Sequence, residues 1–114
     1  MRVKDIVSAL GLTIYCGETH LDREVSGGMI SDMLSDVMAQ AQKGTLWITN
    51  QTHVNILAIV FFKSLAGVIL PGGLELDADA AEKAKEKNLL VLQTRDSAFE
   101  IVGKLYELGV GKTS

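Results

Sequence analysis

The sequence predicts an α/β fold, a three-layer α/β/α sandwich around a small, mainly parallel sheet. Three observations carry that expectation. Apolar, β-branched segments recur at 45–49, 67–70 and 89–92. The intervals between them, 50–66 and 71–88, are long enough for the crossover helices that parallel neighbours require. From residue 45 onward the order is therefore β-α-β-α-β-α, with strands apolar at nearly every position, as in a sheet covered on both faces.

Each element has its own justification. Val3, Ile6, Val7 and Leu10 recur at helical spacing, and Gly11 closes that first helix. Segments 12–16 and 21–25 read as short strands separated by Gly17. In LDREVSGG, residues 21–28, Asp22 and Arg23 are expected on a solvated or salt-bridged strand face, and Gly27-Gly28 as a turn. A helix follows, with Ile30, Leu34, Val37 and Met38 on one face and Ser31 or Asp32 at its start. Gly44 ends that region and Thr45-Leu46-Trp47-Ile48-Thr49 is a strand.

The stretch 54–65, VNILAIVFFKSL, is apolar on nearly every side, so periodicity leaves it ambiguous; its place between two parallel strands makes it a buried helix. Residues 77–88 form a surface helix in which Asp79 and Lys83 make a favourable i, i+4 pair. Ser97 and Glu100 fit a capping box. The last helix carries Ala98, Val102, Leu105 and Tyr106 on one face and stops at Gly109.

The chain's 114 residues support a single domain, 1–114, with 47% apolar and 22% charged residues. A net charge of −3 and the lack of a dense basic cluster argue against nucleic acid as a partner. The longest apolar run, 56–62, falls well short of the ~20 residues of a membrane span, and the amphipathic N-terminus is no secretory signal. No membrane partner and a cytoplasmic location are expected. Cys16 is the one cysteine, read as a small core residue; Trp47 is read as packing, and His20 has no partner at metal-ligand spacing. No metal site and no cofactor are expected. The phosphate-loop and dinucleotide glycine patterns are absent; Gly111-Lys112-Thr113 is only the end of the former, in a tail with no helix to follow.

Parallel sheets place ligands beyond the carboxyl ends of their strands. Three loops meet that rule: Asn50-Gln51-Thr52-His53, Pro71-Gly72-Gly73 and Thr94-Arg95-Asp96-Ser97. They offer amide, hydroxyl, imidazole and guanidinium groups, and two run into helix N-termini, which favour anions. The same residue types are also what caps and turns require, so ligand site and turn chemistry both remain open. His53 is the most attractive single group, although no carboxylate neighbours it in sequence, and it is read as non-catalytic. Gly27 and Gly28 are a secondary candidate loop.

The segments GGMISDMLSDVMAQAQKGTLWITNQTHVNILAIV, AGVILPGG and SAFEIVGKLYELGV together resemble the DRTGG domain, in particular its small stand-alone members. Related domains occur in the middle of long phosphate acetyltransferases and beside CBS domains in a regulated pyrophosphatase; the N-terminal domain of HPr kinase is a more distant relative. The resemblance spans residues 3–110 and implies a fold like that HPr kinase domain, with no reaction assigned. The letters D, R, G, G in DREVSGG are a decoy. The family's Asp-Arg aligns with Thr52-His53, its Thr-Gly-Gly with Pro71-Gly72-Gly73, and a later family acid with Asn55.

The expected function is a non-catalytic regulatory or ligand-sensing module acting with a metabolic enzyme. Its ligand, a nucleotide or other anionic small molecule, would sit among Asn50, Gln51, Thr52, His53, Asn55, Gly72, Gly73, Thr94, Arg95 and Ser97. Four methionines and the apolar helix at 54–65 point to a homodimer. A structural adaptor binding no small molecule is the alternative, and a phosphotransferase component the third reading.

Overall fold

The structure, a computed structural model, describes residues 1–111. The end of the GKTS tail, residues 112–114, lies outside the described residues, and with it most of the truncated phosphate-loop pattern. A five-stranded sheet of order β1-β5-β4-β3-β2 is formed by β1 (Thr13–Cys16), β2 (Gly27–Ile30), β3 (Thr45–Ile48), β4 (Gly67–Leu70) and β5 (Val91–Gln93). Strands β2 to β5 are parallel, and β1 closes the sheet antiparallel to β5. The α/β fold read from the sequence is the one observed.

Three helices, α2 (Leu34–Gln40), α3 (Asn55–Phe62) and α4 (Ala78–Glu86), cover one face, while α1 (Val3–Leu10) and α5 (Ala98–Leu108) cover the other. Alternation along the central strands divides the core between the layers. Trp47, Val68 and Leu70 point into the α2–α3–α4 side; Leu46, Ile48 and Ile69 point at α1 and α5. All six are essentially inaccessible to water, which is why β3 and β4 read as unbroken apolar runs. Helix α3 lies between α2 and α4, so its flanks as well as its base are covered. That burial on several sides removes the periodic signal from its sequence. On α4 the residues set against the sheet are Ala80 and Ala84, small enough for a close helix–sheet approach.

The expected ends hold at several points. Gly11 and Gly109 terminate α1 and α5, and the Ser97–Glu100 capping box is formed by two reciprocal bonds of 3.1 Å each. Cys16 is buried, its Sγ donating to the Leu89 carbonyl, and burial pushes the thiol pKa up.

Five expectations are corrected. Segment 21–25 is not a sheet strand: the carbonyls of Arg23 and Leu21 accept from the N–H groups of Val3 and Lys4, orphan donors of the first turn of α1. Gly27-Gly28 is not a turn but the start of β2, held by in-register pairing with β3 from Gly27–Thr45 to Ile30–Ile48. Ile30 is therefore on a strand, and α2 begins only at Leu34, with Leu34 and Val37 inward and Met38 exposed. On α5 the buried face centres on Ile101 and Leu105, leaving Tyr106 exposed. Finally, Asp79 makes no ion pair with Lys83; its carboxylate accepts from the N–H of Ala80. Asp22 is salt-bridged as expected, to Lys4 at 3.0 Å, but from a turn.

Gly17 follows β1 with φ +89, and a Cβ there would sit 2.5 Å from Leu90 Cα and 2.6 Å from the Leu89 carbonyl oxygen. Both obstacles are backbone, so no side-chain rotation relieves them. At Gly27 a Cβ would meet nothing within 4 Å and φ is ordinary. Gly17→Ala is expected to cost more than about 2 kcal/mol in urea unfolding, and Gly27→Ala to change stability by less than about 0.5 kcal/mol.

Candidate functional site

The parallel strands end along one edge, and the loops leaving it are tied to one another in series. The first tie is made by Asp32, in the β2–α2 loop. Its Oδ1 accepts from Thr49 Oγ1 at 2.8 Å and from the Asn50 backbone N–H at 2.7 Å, and its Oδ2 from Asn50 Nδ2 at 3.2 Å. Gln51 Nε2 adds a bond of 3.1 Å to the Asp32 carbonyl. These bonds, the Asn50 N–H first among them, hold the Asp32 carboxyl below the ordinary aspartate pKa.

The second tie is Asp77, the residue before α4. Its Oδ1 accepts from Thr52 Oγ1 at 2.9 Å and its Oδ2 from His53 Nδ1 at 2.7 Å, while its N–H donates to the Thr52 carbonyl at 3.1 Å. A carboxylate only accepts, so the proton of a neutral His53 is on Nδ1 and Nε2 is its acceptor nitrogen. The His53 side chain is 69% exposed.

The third tie joins the loops after β4 and β5. Gly72 N–H donates to the Asp96 carbonyl at 2.7 Å and Gly73 N–H to the Thr94 carbonyl at 2.9 Å. Gly72 and Gly73 have φ of +65 and +74, two left-handed residues in succession with open space where a Cβ would stand, so backbone conformation rather than crowding selects the diglycine. Lys104 pairs with Asp96 at 2.8 Å on the flank of this junction.

Ligand space opens beside the third tie. After β4 the chain leaves for α4 on one face; after β5 it leaves for α5 on the other. Loops that diverge to opposite faces leave a crevice between them. Here it is an open cleft of about 480 Å3 lined by Thr13, Gly72, Gly73, Gln93, Thr94 and Arg95, with Leu74 and Glu75 completing the wall. Arg95 is exposed and makes no ion pair among the described residues, and Glu75 lines the same cleft. The cleft offers one guanidinium for an anionic group and hydroxyl and amide groups for a polar body.

The structure thus divides the residues the sequence had grouped. Gly72, Gly73, Thr94 and Arg95 line the cleft. Asn50, Gln51, Thr52 and His53 hold the ties, Ser97 caps α5, and Asn55 is exposed at the start of α3. The amides of Gly72 and Gly73 are already spent on carbonyls, so these glycines shape the cleft rather than cradle an anion. Gly27 and Gly28 belong to the opposite, amino end of the parallel strands. Asp32 and Asp77 were missed as site residues; both stand at positions a helix start requires, which masked them. Among the described residues no cluster of three or more His, Cys, Asp or Glu side chains has a metal-binding arrangement, and no helix is long and apolar enough to cross a membrane.

The DRTGG domain matches residues 5–108. The chain belongs to the DRTGG domain family. No curated protein matches this DRTGG domain. A similar solved structure is that of the CBS and DRTGG domains of the regulatory region of Clostridium perfringens pyrophosphatase, complexed with its activator, diadenosine tetraphosphate. The two share 15% identity at a TM-score of 0.62, over 90% of this chain and 44% of that one. The likeness is one of fold, and this DRTGG domain spans less than half of the regulatory region it resembles.

Because its folded pKa is depressed, Asp32 contributes stability fully above the unfolded aspartate pKa of about 4 and loses it as pH falls through the lower folded value. Asp32→Asn should therefore lower stability at pH 7, by about 1 kcal/mol given its solvent exposure. The difference between variant and wild type should shrink in thermal melts taken from pH 6 down to pH 3.

Proposed function

We propose that this DRTGG domain is a non-catalytic regulatory module, cytoplasmic and homodimeric, that senses a small anionic molecule on behalf of a metabolic enzyme. The observation that carries the reading is the cleft at the divergence of β4 and β5, where Arg95 stands beside Gln93, Thr94 and Thr13. A guanidinium with neutral hydrogen-bonding groups suits a phosphate attached to a polar body better than a bare anion, and a nucleotide is the leading ligand class. Support comes from the family, and from a similarly folded domain in the regulatory region of a pyrophosphatase crystallised with a nucleotide activator. Since Gly72 and Gly73 also bond to the Thr94–Asp96 loop, occupying the cleft bears directly on the junction of two loops.

A protein-binding adaptor is the second reading, favoured by Phe61 and Phe62, which are 60% and 74% exposed with their rings edge to face at 6.0 Å.

A thermal-shift screen of nucleotides, acyl phosphates and inorganic phosphate separates the two. A ligand at about 100 times its Kd should add about 2.7 kcal/mol, a shift of several degrees, and Arg95→Ala should abolish that shift while leaving the unliganded melting temperature within about 2 °C. A screen in which nothing stabilises the wild type, with partner capture lost in Phe62→Ala, assigns the domain to the adaptor reading instead.

A further inference from the structure

We propose that a second copy of this chain docks along the free edge of β2, the two β2 strands running antiparallel about a two-fold axis so that the sheets join. The proposal rests on the homodimer reading above and names the surface that makes it.

The two edges of the sheet are unlike. At the β1 edge the strand is bulged, its register with β5 slipping between Ile14 and Cys16. A bulge is one of the devices by which edge strands avoid pairing with other chains; charged side chains and proline are others. Strand β2, Gly27-Gly28-Met29-Ile30, carries none of these and pairs in regular register with β3 alone. Among the described residues no strand pairs with its outer side.

Apolar side chains are exposed around that edge. Ile30 is 50% exposed, and the last turn of α5 leaves a groove of about 200 Å3 beside it, floored by Ile48 and walled by Val102 and Tyr106. On the other face α2 is the outermost helix, with α3 on one flank only, and it brings Met33 and Met38 to the surface at 66% and 42% exposure. The unguarded strand and the exposed methionines thus belong to one border of the molecule.

Charge decides in favour of a second copy. Between Glu24 and Lys43 the only charged residues are Asp32 and Asp36, and Asp32 is committed to Thr49 and Asn50. A charged partner finds little there to pair with. A two-fold contact sets a patch against an identical patch, so a self-pairing surface must be poor in like charges, and interface centres are depleted in charge. The other exposed apolar patch fails this test: Phe61 shares its surroundings with His20, Arg23 and Lys87, and Lys63 follows Phe62. Setting that patch against its own copy would oppose cations.

Light scattering coupled to size exclusion tests the proposal. The wild-type chain should run at twice 12.3 kDa at micromolar concentration. Ile30→Lys and Ile30→Glu, at a half-exposed position that tolerates either side chain, should each weaken self-association about tenfold or more. Mixing the two should restore a dimer, because the two facing patches then carry opposite charges. Met33→Glu provides an independent disruption, Phe62→Glu should leave the dimer intact, and circular dichroism melts establish that each variant is folded. A wild type that stays monomeric at high micromolar concentration overturns both the dimer and its surface. A wild-type dimer that survives both Ile30 variants, or that Phe62→Glu breaks instead, overturns the β2 surface and leaves the dimer standing. Nucleotide stabilisation measured on the same folded variants reports on the cleft separately.

Discussion

Strands of three or four residues contribute few ladder bonds each, so the carboxyl edge of this sheet cannot hold its own loops, and two carboxylates do it. Asp32 fastens the end of β3 to the loop before α2, and Asp77 fastens the start of α3 to the start of α4. Between them every oxygen of both side chains has a donor. The turn at Gly72-Gly73 is held separately, by its two backbone bonds to the Thr94–Asp96 loop. The amino edge is held differently, by backbone bonds between the 21–25 segment and α1 and by exposed ion pairs among Met1, Arg2, Lys4, Asp22 and Glu24, which contribute little each.

Seen this way, the departure from the family signature has a physical content. On the alignment expected from the sequence, Thr52-His53 stand where the family has Asp-Arg, a change that would remove a local carboxylate and a permanent cation. In the fold, the carboxylate facing His53 comes from Asp77, and Thr52 bonds to the same group. An acid and a nitrogen base still meet in this loop, but across two loops rather than within one. Gly72 and Gly73 supply the two consecutive left-handed residues that return the chain from β4 towards the Thr94–Asp96 loop.

How much of this was legible in the sequence follows from the range of each interaction. The run from β3 to α5 was, because its signals are local: apolar strands, crossover lengths, a capping box at Ser97 and Glu100. Strand β2 was not, since two glycines and a four-residue span carry almost no intrinsic strand preference and its existence depends on β3. Segment 21–25 misled for the converse reason: its alternation suits a strand, yet its carbonyls are drawn to the first turn of α1. At the site, the loops were found by the strand-end rule, but the roles within them were not. Thr49 and Asp32 are 17 residues apart and Thr52 and Asp77 are 25 apart, separations that no spacing pattern encodes.

On the proposed reading, cleft and border let the domain do two things with one small sheet. The proposed ligand cleft lies at strand ends, where loops diverge at β4 and β5; the proposed pairing lies along a strand's side, and β2 is the parallel strand with no further neighbour among the described residues. The series of ties runs between them: Gly72 and Gly73 precede Asp77, Asp77 holds Thr52 and His53, and Asn50 holds Asp32, two residues beyond β2. A contiguous chain is a route for coupling only if some link has two arrangements that ligand and partner favour differently. The third tie is the link suited to that part. It is made of two backbone bonds between loops, adjoins solvent, and lies against residues that line the cleft, whereas the Asp32 tie adjoins the buried Thr49 and closes on three donors. Regulation through this fold would start by opening or tightening the Gly72–Asp96 and Gly73–Thr94 bonds, with the Asp32 end serving as the fixed point.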